Sequence, residues 1–181
     1  MERIPYRATE AAAAYAGLRL PVSILLHDVR SMYNIGAFFR TADGAAIERL
    51  LLSGITARPP KNAITKTALG AEERVLWEPV ENTSATAQAL RAAGYELAAV
   101  ETTLRAVDIF DWQPHFPVCV LFGHEVHGLG GDLLATCDTH VRIPMLGLKH
   151  SLNVASAGAI VMYELLRKYR GLHASRGKVS A

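Results

Sequence analysis

Cysteine is nearly missing from this chain of 181 residues: Cys119 and Cys137 are the two present, in apolar or mixed surroundings and without Cys-x-x-Cys spacing. Neither a zinc ribbon nor a redox dithiol is signalled, and two buried free thiols in a reducing compartment are expected. Long apolar runs are also missing. No stretch of about 18 uninterrupted apolar residues occurs, which leaves no candidate membrane span. The start, Met1-Glu2-Arg3-Ile4-Pro5, has no apolar h-region or cleavage site of the secretory kind, so the expectation is a cytoplasmic protein. Three glycine signatures are absent as well. There is no Gly-x-Gly-x-x-Gly after the first strand, where the turn holds only Gly36, and no Gly-x-x-x-x-Gly-Lys-Ser/Thr or Gly-x-Ser-x-Gly. Dinucleotide binding, nucleotide hydrolysis and serine esterase chemistry lose their main support.

What is present is a globular composition, half hydrophobic and one fifth charged. Short apolar runs alternate with helical patterns, which predicts an α/β domain with a mostly parallel sheet and helices on both faces. The expected strands are Ser23 to Leu26, Arg49 to Leu52, Arg74 to Trp77, Tyr95 to Val100, Val118 to Phe122 and His140 to Ile143. Crossover helices are expected over Ile35 to Ala42, Ser84 to Ala93 and Asp132 to Thr136, the second stopped by Gly94. A final helix from Leu152 to Tyr169 is apolar on nearly every face before it turns basic, so it calls for burial all round. A second copy of the chain is one way to supply that cover, which raises a homodimer. The organisation reads as a short helical extension over residues 1–20, one domain over 21–170 and a basic tail over 171–181. Net charge is +2, but residues 1–166 sum to −3 while Arg167, Lys168, Arg170, Arg176 and Lys178 give the last fifteen +5. A basic end of this kind suits a polyanion; a solvated helix end explains it equally well.

Three polar or glycine-rich segments fall where loops leave strand ends, the place where open parallel sheets bind ligands. The first runs from Tyr33-Asn34-Ile35-Gly36 to Arg40-Thr41-Ala42. Asn34 is suited to cap the helix that follows, and Arg40 interrupts an apolar run, so its guanidinium must reach solvent, an anion or a buried partner. The second, Phe122-Gly123-His124-Glu125-Val126-His127-Gly128-Leu129, sets a carboxylate among glycines directly after a strong strand. The third, Ile143-Pro144-Met145 through Ser151-Leu152-Asn153-Val154, is an irregular loop with Ser151 as N-cap and Asn153 in the first turn of the last helix.

In this order and spacing the segments resemble the three motifs of the TrmH (SpoU) branch of the SPOUT RNA 2′-O-methyltransferases. The likeness covers about residues 22 to 168, and Thr67-Ala68-Leu69-Gly70-Ala71 is similar to the family's small-residue stretch. Two positions depart from the pattern: the second motif commonly has Asn at His124 and Gly at Val126. The resemblance implies a SPOUT-type domain with a C-terminal trefoil knot and S-adenosyl-L-methionine as cofactor, its adenine and ribose faced by the backbone around Leu121, Gly123, Ile143, Met145 and Leu152, with Thr102 as an addition. It implies methyl transfer to a ribose 2′-hydroxyl of tRNA or rRNA, not DNA. Arg40 would carry that step, with Asn34, Glu125, Ser151 and Asn153 positioning it. Since a guanidinium stays protonated, stabilising the developing alkoxide is its physically easier role. Two rivals remain: a catalytically silent RNA-binding module on the same fold, and a metal-dependent hydrolase built on His124, Glu125 and His127.

Overall fold

The computed structural model describes residues 19–176, with side chains through residue 172. Along it run β1 (Leu20–His27), α1 (Met32–Gly44), β2 (Ile47–Ser53), α2 (Asn62–Ala68), a 3-10 turn (Ala71–Glu73), β3 (Trp77–Val80) and α3 (Thr83–Ala92). Then follow β4 (Glu96–Val100), β5 (Val107–Asp108), β6 (Val118–Phe122), α4 (Gly131–Ala135), β7 (Thr139–Arg142) and α5 (Val154–Arg176). The strands form one sheet in the order β3-β2-β1-β6-β4-β7-β5, and every neighbouring pair is parallel.

Strand alternation sorts the core onto two faces. Val22, Ile24, Leu26, Val120 and Phe122 join Phe38, Phe39, Val161 and Met162 on one. Leu25, Leu51, Cys119 and Leu121 meet Leu90, Leu129 and Leu133 on the other. Helices therefore cover both faces, and the central strands β1 and β6 read as continuous apolar runs for that reason. Both cysteines are buried free thiols; burial lifts Cys119 to about 12 and Cys137 to about 11. Among the described residues no helix is long and apolar enough to cross a membrane.

Several expectations need correction. The third strand is β3 at Trp77–Val80, not Arg74 to Trp77, because the 3-10 turn extends into Arg74 and the Val75 amide still bonds to the Ala71 carbonyl. The short α2 and the two-residue β5 escaped the pattern: α2 buries only Ile64 and Ala68, and both β5 residues are at least partly exposed. Asn34 is not the cap of α1; Ser31 is, its Oγ accepting the Asn34 amide at 3.3 Å. Ser151 is likewise not the cap of the last helix. That helix starts at Val154, and Asn153 Oδ1 accepts the Ala155 and Ser156 amides at 2.9 and 3.3 Å.

The last helix is also less buried than its sequence asked: Val161, Met162 and Leu165 are fully buried, but Ile160 is 37% and Tyr163 52% exposed. At its other end, α5 continues to Arg176, so part of the expected tail is helical. Lys168 is no solvated cation; its Nζ donates to the Phe110 and Trp112 carbonyls at 3.1 and 2.5 Å and lies 3.3 Å from Glu164. Leu20, assigned to the N-terminal extension, opens β1; the helix expected before it falls on residues 1–18, outside the described residues.

Candidate active site

The parallel sheet brings the ends of β4, β6 and β7 to one edge, where the loops that follow them and the start of α5 enclose a cleft of about 340 Å³. Five of the six expected cofactor contacts line it: Thr102, Gly123, Ile143, Met145 and Leu152. Leu121 does not. Strand alternation sends its side chain to the opposite face of the sheet and sets Phe122 beside the cleft, which bears on the side chain and not on the backbone contact expected there. Charged and titratable groups also face the space: Glu101, His124, Glu125, Arg142 and His150.

The loop after β6 is a tight hairpin. His124 and Gly128 exchange backbone bonds, with the His124 amide donating to Gly128 at 3.1 Å and the Gly128 amide to His124 at 2.8 Å. Gly128 turns the chain at φ +65, a conformation that favours glycine, and a Cβ there would also displace the Glu101 carboxylate. Glu125 stands on the hairpin tip and reaches the start of α1. Its Oε1 accepts the Ser31 amide at 3.0 Å and the Asn34 Nδ2 at 3.1 Å, and its Oε2 accepts the Arg30 amide at 3.1 Å. Partial burial pushes this carboxyl up, but the Ser31 and Arg30 amides and the Asn34 side chain outweigh it and hold the group below the usual carboxylate range.

Asn34 Oδ1 in turn accepts from Asn153 Nδ2 at 3.1 Å. One chain of hydrogen bonds thus ties the start of α1, the β6 hairpin and the start of α5, which are the three segments singled out in the sequence. Ser151 lies on the cleft wall and is exposed. Arg40 is not brought to this group. It is exposed on α1, six residues beyond Asn34 and roughly 9 Å further along the helix axis, and does not line the cleft.

A model of the SpoU rRNA Methylase family matches residues 21–163. The chain belongs to that family. A Staphylococcus epidermidis protein assigned by name to the TrmH family of tRNA/rRNA methyltransferases is 29% identical over 150 residues, which is 83% of this chain and 60% of that protein. The AdoMet-bound rRNA methyltransferase of Sinorhizobium meliloti superposes with a TM-score of 0.76 at 30% identity, covering 81% of this chain and 56% of the other. A solved RNA 2′-O ribose methyltransferase gives 0.72 at 27% identity, covering 92% and 62%. The chain spans about three fifths of the length of the curated relatives it matches.

Within this SpoU domain the motif residues that converge do so by side chain, Asn34 to Glu125 and Asn34 to Asn153. What no motif expressed is the role of backbone donors at Arg30 and Ser31, which lie before the first motif and fix the Glu125 carboxylate. Among the described residues no group of three or more His, Cys, Asp or Glu side chains is arranged to hold a metal ion.

Proposed function

We propose that the chain is a cytoplasmic, S-adenosylmethionine-dependent RNA methyltransferase acting on a ribose 2′-hydroxyl of tRNA or rRNA. The observation that carries this is the cleft at the sheet edge, reached at Glu125 by the Asn153–Asn34–Glu125 network that joins all three motif segments. The residues fit the cofactor. A cleft of about 340 Å³ lies in the ordinary range for small-molecule sites, and its apolar walls at Val100, Ile143, Met145 and Leu152 suit a purine while Glu101 and Arg142 offer groups of both signs to a zwitterionic tail. When bound, the cofactor supplies an electrophilic methyl on a sulfonium. The expected knot belongs to the same reading.

The protein's part is orientation and charge. Ile143, Met145 and Leu152 hold the cofactor and exclude water. Glu125, Asn34 and Asn153 fix the loops against one another, and Ser151 offers a hydroxyl at the cleft rim. Arg40 presents a permanent, exposed cation on α1 outside the cleft, and by the family resemblance it is the group that stabilises the alkoxide that develops as the hydroxyl loses its proton.

Calorimetry with S-adenosylmethionine and single-turnover methyl transfer to total tRNA and rRNA test this reading together. Wild-type protein should bind cofactor and label one of the two pools at ribose. Arg40→Ala should bind cofactor as well as wild type, because Arg40 is outside the cleft, yet transfer methyl about a hundredfold more slowly. Cofactor binding without methyl incorporation into either pool would leave the silent RNA-binding module standing instead.

A further inference from the structure

His124 occupies a position where the resemblance leads one to expect Asn, and the structure shows what the ring does there. Its Nδ1 lies 2.9 Å from the Val126 amide and 3.3 Å from the His127 amide, both within the hairpin tip that carries Glu125. Two N–H donors aimed at one ring nitrogen require a lone pair on it, so the proton of the neutral ring sits on Nε2. These are the amides two and three residues on, the same ones that an Asn carboxamide oxygen accepts in an Asx turn. The imidazole is thus a stand-in for an amide oxygen, with one difference: an amide does not titrate near neutrality and an imidazole does.

We propose that His124 is a positioning residue whose neutral ring holds the Glu125 hairpin closed, and that its protonation opens the tip and slows methyl transfer in acid. Once both ring nitrogens carry hydrogen, Nδ1–H meets two N–H groups and each contact turns repulsive. The closed tip uses the Nδ1 lone pair and a protonated ring has none to offer, so closure and protonation exclude each other. The charged and titratable groups that share the cleft with His124 are Glu101, Glu125, Arg142 and His150. The His127 ring lies beside the His124 ring, tilted by 34° at a centroid distance of 4.7 Å. The tip would transmit the change directly, because Glu125 sits between His124 and the amides that the ring holds and is itself the anchor of Arg30, Ser31 and Asn34.

This rests on the methyltransferase reading for its kinetic half only. The test uses the full chain as wild type, His124→Asn and His124→Ala. By nuclear magnetic resonance between about pH 5 and about pH 8, the Val126 and His127 amide signals of wild type should titrate with the His124 ring, and in His124→Asn that transition should vanish. In single-turnover methyl transfer, the ratio of rates at about pH 8 and about pH 5.5 should be about tenfold larger for wild type than for His124→Asn. His124→Ala should be slowed about tenfold even at about pH 8, and Asn at the same position should restore most of that loss. An Asn variant with the acid loss of wild type, an Ala variant as fast as wild type, or a ring with its proton on Nδ1 at about pH 8 would each overturn the proposal. A protein that transfers no methyl at any pH defeats the methyltransferase reading, while the amide titration still decides the role of His124.

Discussion

Glu125 shows how little of a side chain's role lies in its own neighbourhood along the chain. Its carboxylate accepts from Arg30, Ser31 and Asn34, more than ninety positions away, and so closes the entrance to α1, where a negative charge also suits the helix dipole. Glu125→Gln would turn an NH₂ toward one of those donors. The tie should weaken by about 1 kcal/mol, a figure kept low because the group is largely exposed. The sign with pH follows from the lowered folded value. A carboxyl held below its unfolded range contributes its full stabilisation above about pH 4.3 and loses it as pH falls through the folded value. Measured in the His124→Asn background, where no ring stands at position 124, thermal unfolding should therefore show Glu125→Gln less stable than its parent by a constant margin from about pH 8 to about pH 5, with the margin closing below about pH 4. A margin that persists undiminished at about pH 3 would mean that the charge is not what anchors the loop.

Helix packing explains Gly36, which the sequence showed only as a lone glycine in a turn. It sits inside α1, and a Cβ there would overlap the Thr67 hydroxyl and come within 2.5 Å of the Ile64 carbonyl of α2. Thr67 could rotate; the backbone carbonyl could not. Gly36→Ala should cost about 1 to 3 kcal/mol in chemical denaturation despite the better helix propensity of alanine, and a neutral or stabilising result would show that α2 yields freely. The same pairing marks where the sequence stopped being legible. Strong apolar strands such as Val118–Phe122 and the i, i+3, i+4, i+7 stripe Ile35, Phe38, Phe39, Ala42 stood out because burial writes its period into the residues. The seven residues of α2 carry two buried side chains, too few to express a period, and are held by α1 instead. Site residues followed a similar rule. Gly123, Ile143 and Met145 fall in segments that stood out at strand ends, and the resemblance gave them a cofactor role, whereas Glu101 and Arg142 on the cleft wall carry no local signal and become visible only when β4 and β7 pair.

A fold that covers both faces of its sheet still leaves large apolar side chains in water. Ile160 and Tyr163 on α5 are exposed, as are Met32 and Tyr33 at the start of α1, the helix against which α5 packs. Burying such a surface against a second copy would return roughly 25 cal/mol per Å² of apolar area, and a stable pair needs about 800 Å² from each partner. Homodimerisation through this face is the expected outcome. Ile160→Glu with Tyr163→Glu should then give a folded monomer by light scattering at about 10 μM, where wild type scatters as a pair. The cofactor cleft is built within one copy, from β4, β6, β7 and the start of α5, so the monomeric variant should bind S-adenosylmethionine like wild type. Arg40 lies outside that cleft on the same α1. If pairing is what brings the α1 cation to a reacting ribose, methyl transfer by the monomer should fall about as far as in Arg40→Ala while cofactor affinity stays. A wild-type chain that remains monomeric would remove the pairing, and a monomeric variant with full turnover would show that one copy holds everything the reaction needs.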